Sequence, residues 1–177
     1  MHPFTDEPSA RGAAPTAYSG AQPEKVTHAL VAPRFLQVWG VVPQLGRDFN
    51  PAERHFGGPN AVLISDRHWR RRFGANPDVT GKTLRLEQWS YPIIGVMPPS
   101  IEFVQRNIDL WSVSAPDFPY ARSRDLTWFT GIGRLKPGVT LARARADLAT
   151  VQADLARQFP KPDAEIRSGI EPLKQWR

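Results

Sequence analysis

The chain has 177 residues, enough for one domain or two small subdomains and too few for a large multidomain enzyme. Apolar residue types make up 41% of the sequence and charged types 23%, a composition that is typical of globular proteins and excludes a disordered chain. The net charge of +6 is spread evenly: 11 basic minus 8 acidic residues up to Gln88, and 12 minus 9 after it. This distribution excludes a nucleic-acid arm with its charge in one block.

Cysteine is absent, so the chain has no disulfide framework, no Cys-ligated zinc and no thiol nucleophile. No run of 18 apolar residues lacks a charge, and the first 20 residues lack the basic start and apolar stretch of a secretory signal. The sequence as given is therefore expected neither to span a bilayer nor to carry its own export signal.

The first 24 residues lack hydrophobic periodicity, and residues 1–17 are expected to form an irregular lead-in. Alternating apolar side chains from Val26 to Leu30 then predict a short strand. Apolar residues after Pro33 predict a helix that Gly40 ends. Asn50, followed three residues later by Glu53, is the pattern of a helix start with reciprocal caps.

A continuous apolar run at Ala61–Ile64 predicts a central strand covered on both faces. Ser65 follows as a predicted N-cap, and Trp69 and Phe73 lie four residues apart on one side of the next helix. Gly74 supplies the left-handed residue that ends such a helix. The stretch therefore predicts a strand that leads directly into a helix.

Two alternating segments, Lys82–Leu86 and Tyr91–Met97, predict a hairpin. Pro92 lies inside the returning segment and favours an edge or a bulge there, because proline cannot donate to a ladder. Ile108–Val113 and Leu126–Leu135 are further predicted strands.

The most periodic segment is a predicted C-terminal amphipathic helix of about five turns. Thr140 caps it, Pro160 blocks its continuation, and a core-facing stripe is expected from apolar residues three or four apart: Leu141, Ala144, Leu148, Val151, Leu155 and Phe159. Strands interleaved with helices predict a mixed α/β (α+β) fold, in which helices pack on a layered sheet that contains an inserted hairpin.

Searches for catalytic and cofactor motifs return nothing specific. The sequence has no phosphate-binding loop, and Gly131 and Gly133 lack the third glycine of a dinucleotide turn. The four histidines never fall at a spacing that places two metal ligands on one side of a helix. Ser65, Asp66 and His68 are residue types of a catalytic triad, but neighbours on one helical turn point in different directions. We therefore predict no catalytic, cofactor or metal site, although a hydrolase stays an alternative.

The strongest local charge feature is a run of arginines, from which Arg67, Arg70 and Arg71 are candidates for contact with an anion or a partner. The alternative is that Trp69 and Phe73 anchor the helix while the arginines form its solvated side, their stems covering apolar surface. The spacing of the aromatic residues favours this second interpretation.

The chain resembles the MacB-like periplasmic core domain of ABC-transporter permeases (the MacB/FtsX-type family) in a series of segments that occur in the same order. The matching segments lie between residues 18 and 160, and they are Thr27–Phe35, Val38–Val41, Pro43–Arg47, Val62–Ser65, Trp69–Gly74, Asn76–Leu86, Ile93–Pro99, Asp109–Trp111, Gly133–Leu141 and Ala144–Leu148. The resemblance implies a core domain at 18–160 and a tail, or the start of a further strand, at 161–177.

The resemblance also implies a function without catalysis. Such domains belong to permeases that work with a separate ABC ATPase, and they pass the motion of transmembrane helices to a substrate or adaptor protein outside the membrane. The chain is then expected to be a piece of such a permease, at the periplasmic face of the bacterial inner membrane, and dimeric in the whole transporter. No cofactor is expected. The alternative function is a small basic module that binds nucleic acid or an acidic surface, with nucleic acid the less expected partner.

Overall fold

The computed structural model describes residues 23–101, 107–114, 131–160 and 169–172, together with the backbone of residues 16–18. The chain divides into two compact units, Met1–Phe118 and Pro119–Arg177, and we describe each by itself. Among the described residues, no helix is both long and apolar enough to cross a bilayer.

The first unit contains a mixed sheet and two α-helices. In its described part the strands are β1 (Thr16–Tyr18), β2 (Pro23–Lys25), β3 (His28–Val31), β4 (Leu45–Gly46), β5 (Val62–Ile64), β6 (Thr83–Leu86), β7 (Trp89–Val96) and β8 (Leu110–Val113). The helices are α1 (Phe35–Trp39) and α2 (Asp66–Phe73), and single 3₁₀ turns lie at Ala52–Arg54 and Pro77–Val79.

The strands run in the order β2-β1-β6-β7-β5-β8-β3, with β4 also paired to β7. The pairs β3/β8 and β5/β7 are parallel, and the other pairs are antiparallel. The predicted mixed α+β fold with an inserted hairpin is confirmed, since β6 and β7 form that hairpin around Glu87 and Gln88.

Strand β7 joins the two halves of the sheet. Its first half pairs with β6, and its second half pairs with β5 on one side and β4 on the other. The amide of Ile93 donates to the carbonyl of Lys82 at 2.8 Å, so the nitrogen of the preceding Pro92 faces the opposite edge. Pairing with β5 starts only at Ile93, so no ladder hydrogen bond is lost at the proline. The register of β5 against β7 shifts by one residue directly after Ile93.

Apolar residues cover both faces of the sheet. Alternation in β5 places Val62 and Ile64 on the face that α2 covers through Trp69, while Leu63 lies on the face that α1 covers through Phe35. All three β5 residues are fully buried, which confirms the predicted central strand. The sheet is therefore the middle layer of three.

Local capping signals predicted the ends of the short helices correctly. Ser65 accepts a hydrogen bond from the amide of His68 at 3.0 Å, and Gly74 ends α2 with a φ of +59°. Asn50 and Glu53 bond reciprocally to each other's amides at 3.0 and 2.8 Å, although the helix they begin is only one 3₁₀ turn.

Three expectations about regular structure need correction. Strand β1 begins inside the lead-in expected to be irregular, and β2 lies just after it, in a region without hydrophobic periodicity. The two strands pair with each other and β1 also pairs with β6, so no local sequence pattern reveals them. The predicted strand Leu126–Leu135 is wrong over residues 131–135, which contain no regular element, and its remainder lies outside the described residues. The predicted strand at Ile108 begins at Leu110.

In the second unit, α3 spans Leu141–Gln158, and the hydroxyl of Thr140 accepts from the amide of Arg143 at 3.2 Å. The predicted helix and its cap are confirmed. Within the described residues none of its side chains is buried, so the predicted core-facing stripe is at best partly covered there, and Val151 is 51% exposed. Arg145 donates from Nε to the carbonyl of Ile170 at 2.9 Å, which ties residues 169–172 to the helix.

We predict that Gly95→Ala destabilises the first unit by about 1–3 kcal/mol, since overpacking in a close-packed region forces backbone shifts. A Cβ at Gly95 would lie 2.7 Å from the carbonyl oxygen of Leu45 and 3.0 Å from that of Arg47. Urea unfolding measures the change. Gly133→Ala is the control, because a Cβ there meets nothing within 4 Å. Equal stability of both variants would contradict the close approach of β4 to β7.

Candidate functional site

The most connected polar group in the described structure is Asp109, which lies directly before β8. Its amide donates to the carbonyl of Thr27 at 2.9 Å, and its carboxylate Oδ2 accepts from the amide of Thr27 at 3.0 Å. Its carbonyl accepts from the amide of Ser65, the N-cap of α2, at 2.8 Å. Asp109 therefore joins the starts of β3, β8 and α2.

The second carboxylate oxygen of Asp109, Oδ1, accepts hydrogen bonds from two arginines of α2. Nη2 of Arg67 lies 2.8 Å and Nη2 of Arg71 lies 3.3 Å from Oδ1. The residue itself is buried, with 4% of its surface exposed. A buried carboxylate is stable only when it is paired and hydrogen-bonded, and every polar atom of Asp109 meets this condition.

Further side chains extend this network, which we call the Asp109 cluster: Glu24, Arg67, His68, Arg71 and Asp109. Arg71 donates from Nε to Oε1 of Glu24 in β2 at 2.7 Å. Arg67 also donates to the side chain and the carbonyl of Asn107 at 3.1 and 2.8 Å. The cluster therefore connects one face of α2 to both ends of the sheet order.

Arg70 points to a different partner. It pairs with Asp66 one turn earlier at 2.7 Å, and its guanidinium lies 5.5 Å from the ring centre of Trp69. The hydrogen bond from Arg70 lowers the pKa of the Asp66 carboxyl. Trp69 is buried, and its indole N–H donates to the carbonyl of Asn76 at 2.8 Å, so it anchors the helix as the spacing predicted.

The three arginines predicted as a contact site thus lie on one helix, and each already bonds a carboxylate of the same chain. Arg67 and Arg71 share Asp109, whereas Arg70 bonds Asp66. Their side chains are still 42–62% exposed, so each can bond a further acceptor. Contact with an anion or partner stays a prediction for these residues.

Acid-base chemistry finds little support in the cluster. The Asp109 carboxylate is saturated by donors, and Ser65 is occupied as a cap, so neither is placed to act as a base or a nucleophile. Within the described part of the chain, no group of three His, Asp or Glu residues is arranged to hold a metal ion.

The second unit offers a separate concave surface. A groove of about 330 Å³ lies between α3 and residues 169–172, and it is lined by Arg145, Leu148, Ala149, Gln152, Gly169, Ile170 and Glu171. The charged groups in its lining are the guanidinium of Arg145 and the carboxylate of Glu171, and most of the remaining lining is apolar. The groove does not combine a nucleophile with a base.

The sequence model of the MacB-like periplasmic core domain matches residues 4–151. The chain belongs to this family. The resemblance found in the sequence is thereby confirmed, and the family comprises periplasmic domains of MacB-like ABC-type transporter permeases. The predicted boundaries at residues 18, 160 and 161 stay a prediction.

Solved structures share the fold of this MacB-like domain. The periplasmic region of MacB from Actinobacillus actinomycetemcomitans superposes with a TM-score of 0.56 at 16% identity, over 84% of this chain and 64% of that one. A permease domain from Porphyromonas gingivalis superposes with a TM-score of 0.55 at 22% identity, over 86% of this chain and 65% of that one. The chain therefore covers just under two thirds of either structure. No curated protein matched the sequence.

Sequence reasoning found the arginines of this MacB-like domain but missed Asp109 and Glu24. The contacts of Asp109 with Arg67 and Arg71 span 42 and 38 residues, and no local pattern reports such distances. The one available signal was the spacing of Arg67 and Arg71, which places both on one helix face and would have suggested a shared acidic partner.

We predict that Asp109→Asn lowers the free energy of unfolding by about 1–3 kcal/mol, between the values for exposed and fully buried ion pairs, because the carboxylate is buried but both guanidiniums are half-exposed. The amide cannot accept from both arginines and Thr27 in the same geometry. Chemical denaturation measures the loss. Asp154→Asn, which breaks an exposed pair with Arg157 on α3, is the control and should leave stability unchanged.

A second prediction concerns His28, whose Nε2 lies 2.8 Å from the hydroxyl of Ser112. Burial lowers the pKa of His28 from 6.5 to about 4. Between pH 6.5 and 4 the unfolded chain therefore binds a proton at His28 that the folded chain does not bind. The free energy of unfolding should fall as the pH drops through this range, by at most about 1.4 kcal/mol per pH unit.

Denaturation midpoints measured across this pH range test the second prediction. His28→Gln should make the pH dependence shallower by one proton's contribution, whereas His55→Gln, at an exposed position, should not. Identical slopes for wild type and His28→Gln would show that the imidazole is not buried in the folded state.

Proposed function

We propose that this chain is the extracytoplasmic coupling domain of an ABC-transporter permease, at the periplasmic face of the bacterial inner membrane. The family match over residues 4–151 carries the proposal. In it, the transmembrane helices of the permease move the domain when a separate ATPase hydrolyses ATP, and the domain passes this motion to a substrate or adaptor protein. The domain itself catalyses no reaction, and two copies work together in the whole transporter.

The packing of the first unit supports such a role. A body that transmits force must move without deforming, since packed interfaces shift between discrete arrangements and do not stretch continuously. Here α2 is tied to three strands through Asp109 and Arg71, and fully buried side chains cover both faces of β5. These contacts resist relative sliding of helix and sheet.

The arginines of α2 enter the proposal as its partner contact. Arg70 is the most exposed of the three candidates, at 62% of its side chain, and it is not needed to balance Asp109. We propose that the exposed side of α2 around Arg70 meets acidic groups of a partner protein. Arg67 and Arg71 contribute there only through the exposed part of their guanidiniums.

Spin labels in the complete permease, reconstituted with its ATPase in proteoliposomes, test the coupling. The chain has no native cysteine, so Val42→Cys, at a position 79% exposed, gives one label per domain. We expect the distance between the labels of two copies to differ between the nucleotide-free and ATP-bound transporter. Val151→Cys on α3 provides a second site, 51% exposed. Unchanged distances at both sites during ATP hydrolysis would refute coupling.

An oligonucleotide titration separates the proposal from a basic nucleic-acid module. Fluorescence anisotropy with single-stranded and duplex DNA should detect no salt-sensitive binding at about 0.15 M salt, because the positive charge is spread evenly along the chain and not concentrated in one block. Binding that weakens steeply with added salt would favour the alternative, since phosphate contacts release counterions. In that case Arg70→Glu should abolish it while Arg157→Glu should not.

A further inference from the structure

His68 lies on the inner face of α2 with its imidazole fully buried, and its hydrogen bonding indicates which ring nitrogen carries the proton. Its Nδ1 lies 3.2 Å from Nη2 of Arg71. A guanidinium has only donors, so Nδ1 must be the acceptor. The proton of the neutral ring is therefore on Nε2, which has no hydrogen-bond partner among the described residues. The ring edge also faces Phe73, with a centroid distance of 6.0 Å.

Charged groups surround this imidazole from two sides. Asp109, before β8, and Glu24, in β2, favour a positive ring, whereas Arg71 and Arg72 on the same helix oppose it. Burial outweighs these charges and lowers the pKa of His68 below its usual value of 6.5. A second proton on the ring would in addition turn Nδ1 into a donor that faces the N–H of Arg71.

We propose that His68 is an acid-sensitive latch: its neutral ring holds Arg71 in place, and its protonation releases Arg71 and opens the C-terminal half of α2. Arg71 links this half to the sheet through polar contacts, with Glu24 at 2.7 Å and Asp109 at 3.3 Å. Two donors that face each other in a buried site cannot both be satisfied, so the guanidinium has to move. The proposal does not depend on a transport function.

The sign of the pH effect follows from the proton count. Open α2 exposes His68, which then binds a proton near pH 6.5, while closed α2 excludes that proton. Opening should therefore become about fivefold more frequent over the first pH unit below 6.5, and at most about tenfold more frequent over the next, until the closed form also binds the proton. Above that pH the latch is closed and its contribution is constant.

Hydrogen exchange followed by NMR tests the latch on the whole chain. The probes are the amides of Gly74 and Ala75, which donate to the carbonyls of Arg70 and Trp69 at 3.1 and 3.3 Å. The amide of Met97, bonded to the carbonyl of Ile64 in the sheet, reports global unfolding. From pH 6.5 to 5.5 we expect the α2 protection factors, corrected for intrinsic exchange, to fall about fivefold and to stay below that of Met97.

Matched variants separate the latch from a general loss of stability. His68→Gln keeps an acceptor for Arg71 that does not titrate, so its α2 protection should not change between pH 6.5 and 5.5. His55→Gln should behave like the wild type. Equal protection at Gly74 and Met97 in the wild type, or an unchanged pH response in His68→Gln, would overturn the proposal.

A measurement on the wild type alone covers the case in which His68→Gln fails to fold. Nitrogen chemical shifts of the imidazole distinguish the two neutral tautomers and the charged ring. At pH 7.5 we expect the proton on Nε2 and a bare Nδ1. A proton on Nδ1, or a charged ring at this pH, would contradict the hydrogen bond from Arg71 and with it the latch.

Discussion

A single carboxylate organises the first unit of this domain. Asp109 is buried, and a charge withdrawn from water is tolerated only where donors replace the lost hydration. The structure supplies those donors from two places that are distant in sequence, the amide of Thr27 and two arginines of α2. This requirement favours both the parallel pairing of β3 with β8 and the position of α2, because a shift of either would remove donors from the buried charge.

Although the protein is basic, the arginines of α2 have internal partners, and each keeps part of its guanidinium exposed. The sequence pI is near 10.2, yet three of the arginines on this helix bond carboxylates of the same chain. Net charge describes solubility and long-range attraction, whereas a binding site needs cations that remain available at short range. In a domain proposed to transmit motion, arginines that join helix to sheet have a structural use as well.

The sequence predicted those features that depend on neighbours along the chain. Ser65 and Gly74 mark the ends of α2 because capping involves bonds within one turn, and the apolar run before Ser65 identified the central strand. The irregular stretch at residues 131–135 and the strands β1 and β2 were missed for the opposite reason. Whether a short segment becomes a strand depends on whether a partner strand is available, and that partner can lie anywhere in the chain.

By itself, then, the amino-acid sequence determined the family, the mixed fold class and the caps and turns, since each follows from local patterns or from the order of those patterns along the chain. Only the tertiary structure decided that Arg67 and Arg71 bond Asp109 and Glu24, and that His68 is buried with its Nδ1 beside Arg71. Those contacts span up to 47 residues. Electrostatic partners are selected by distance in space and by burial, and both exist only after the chain has folded.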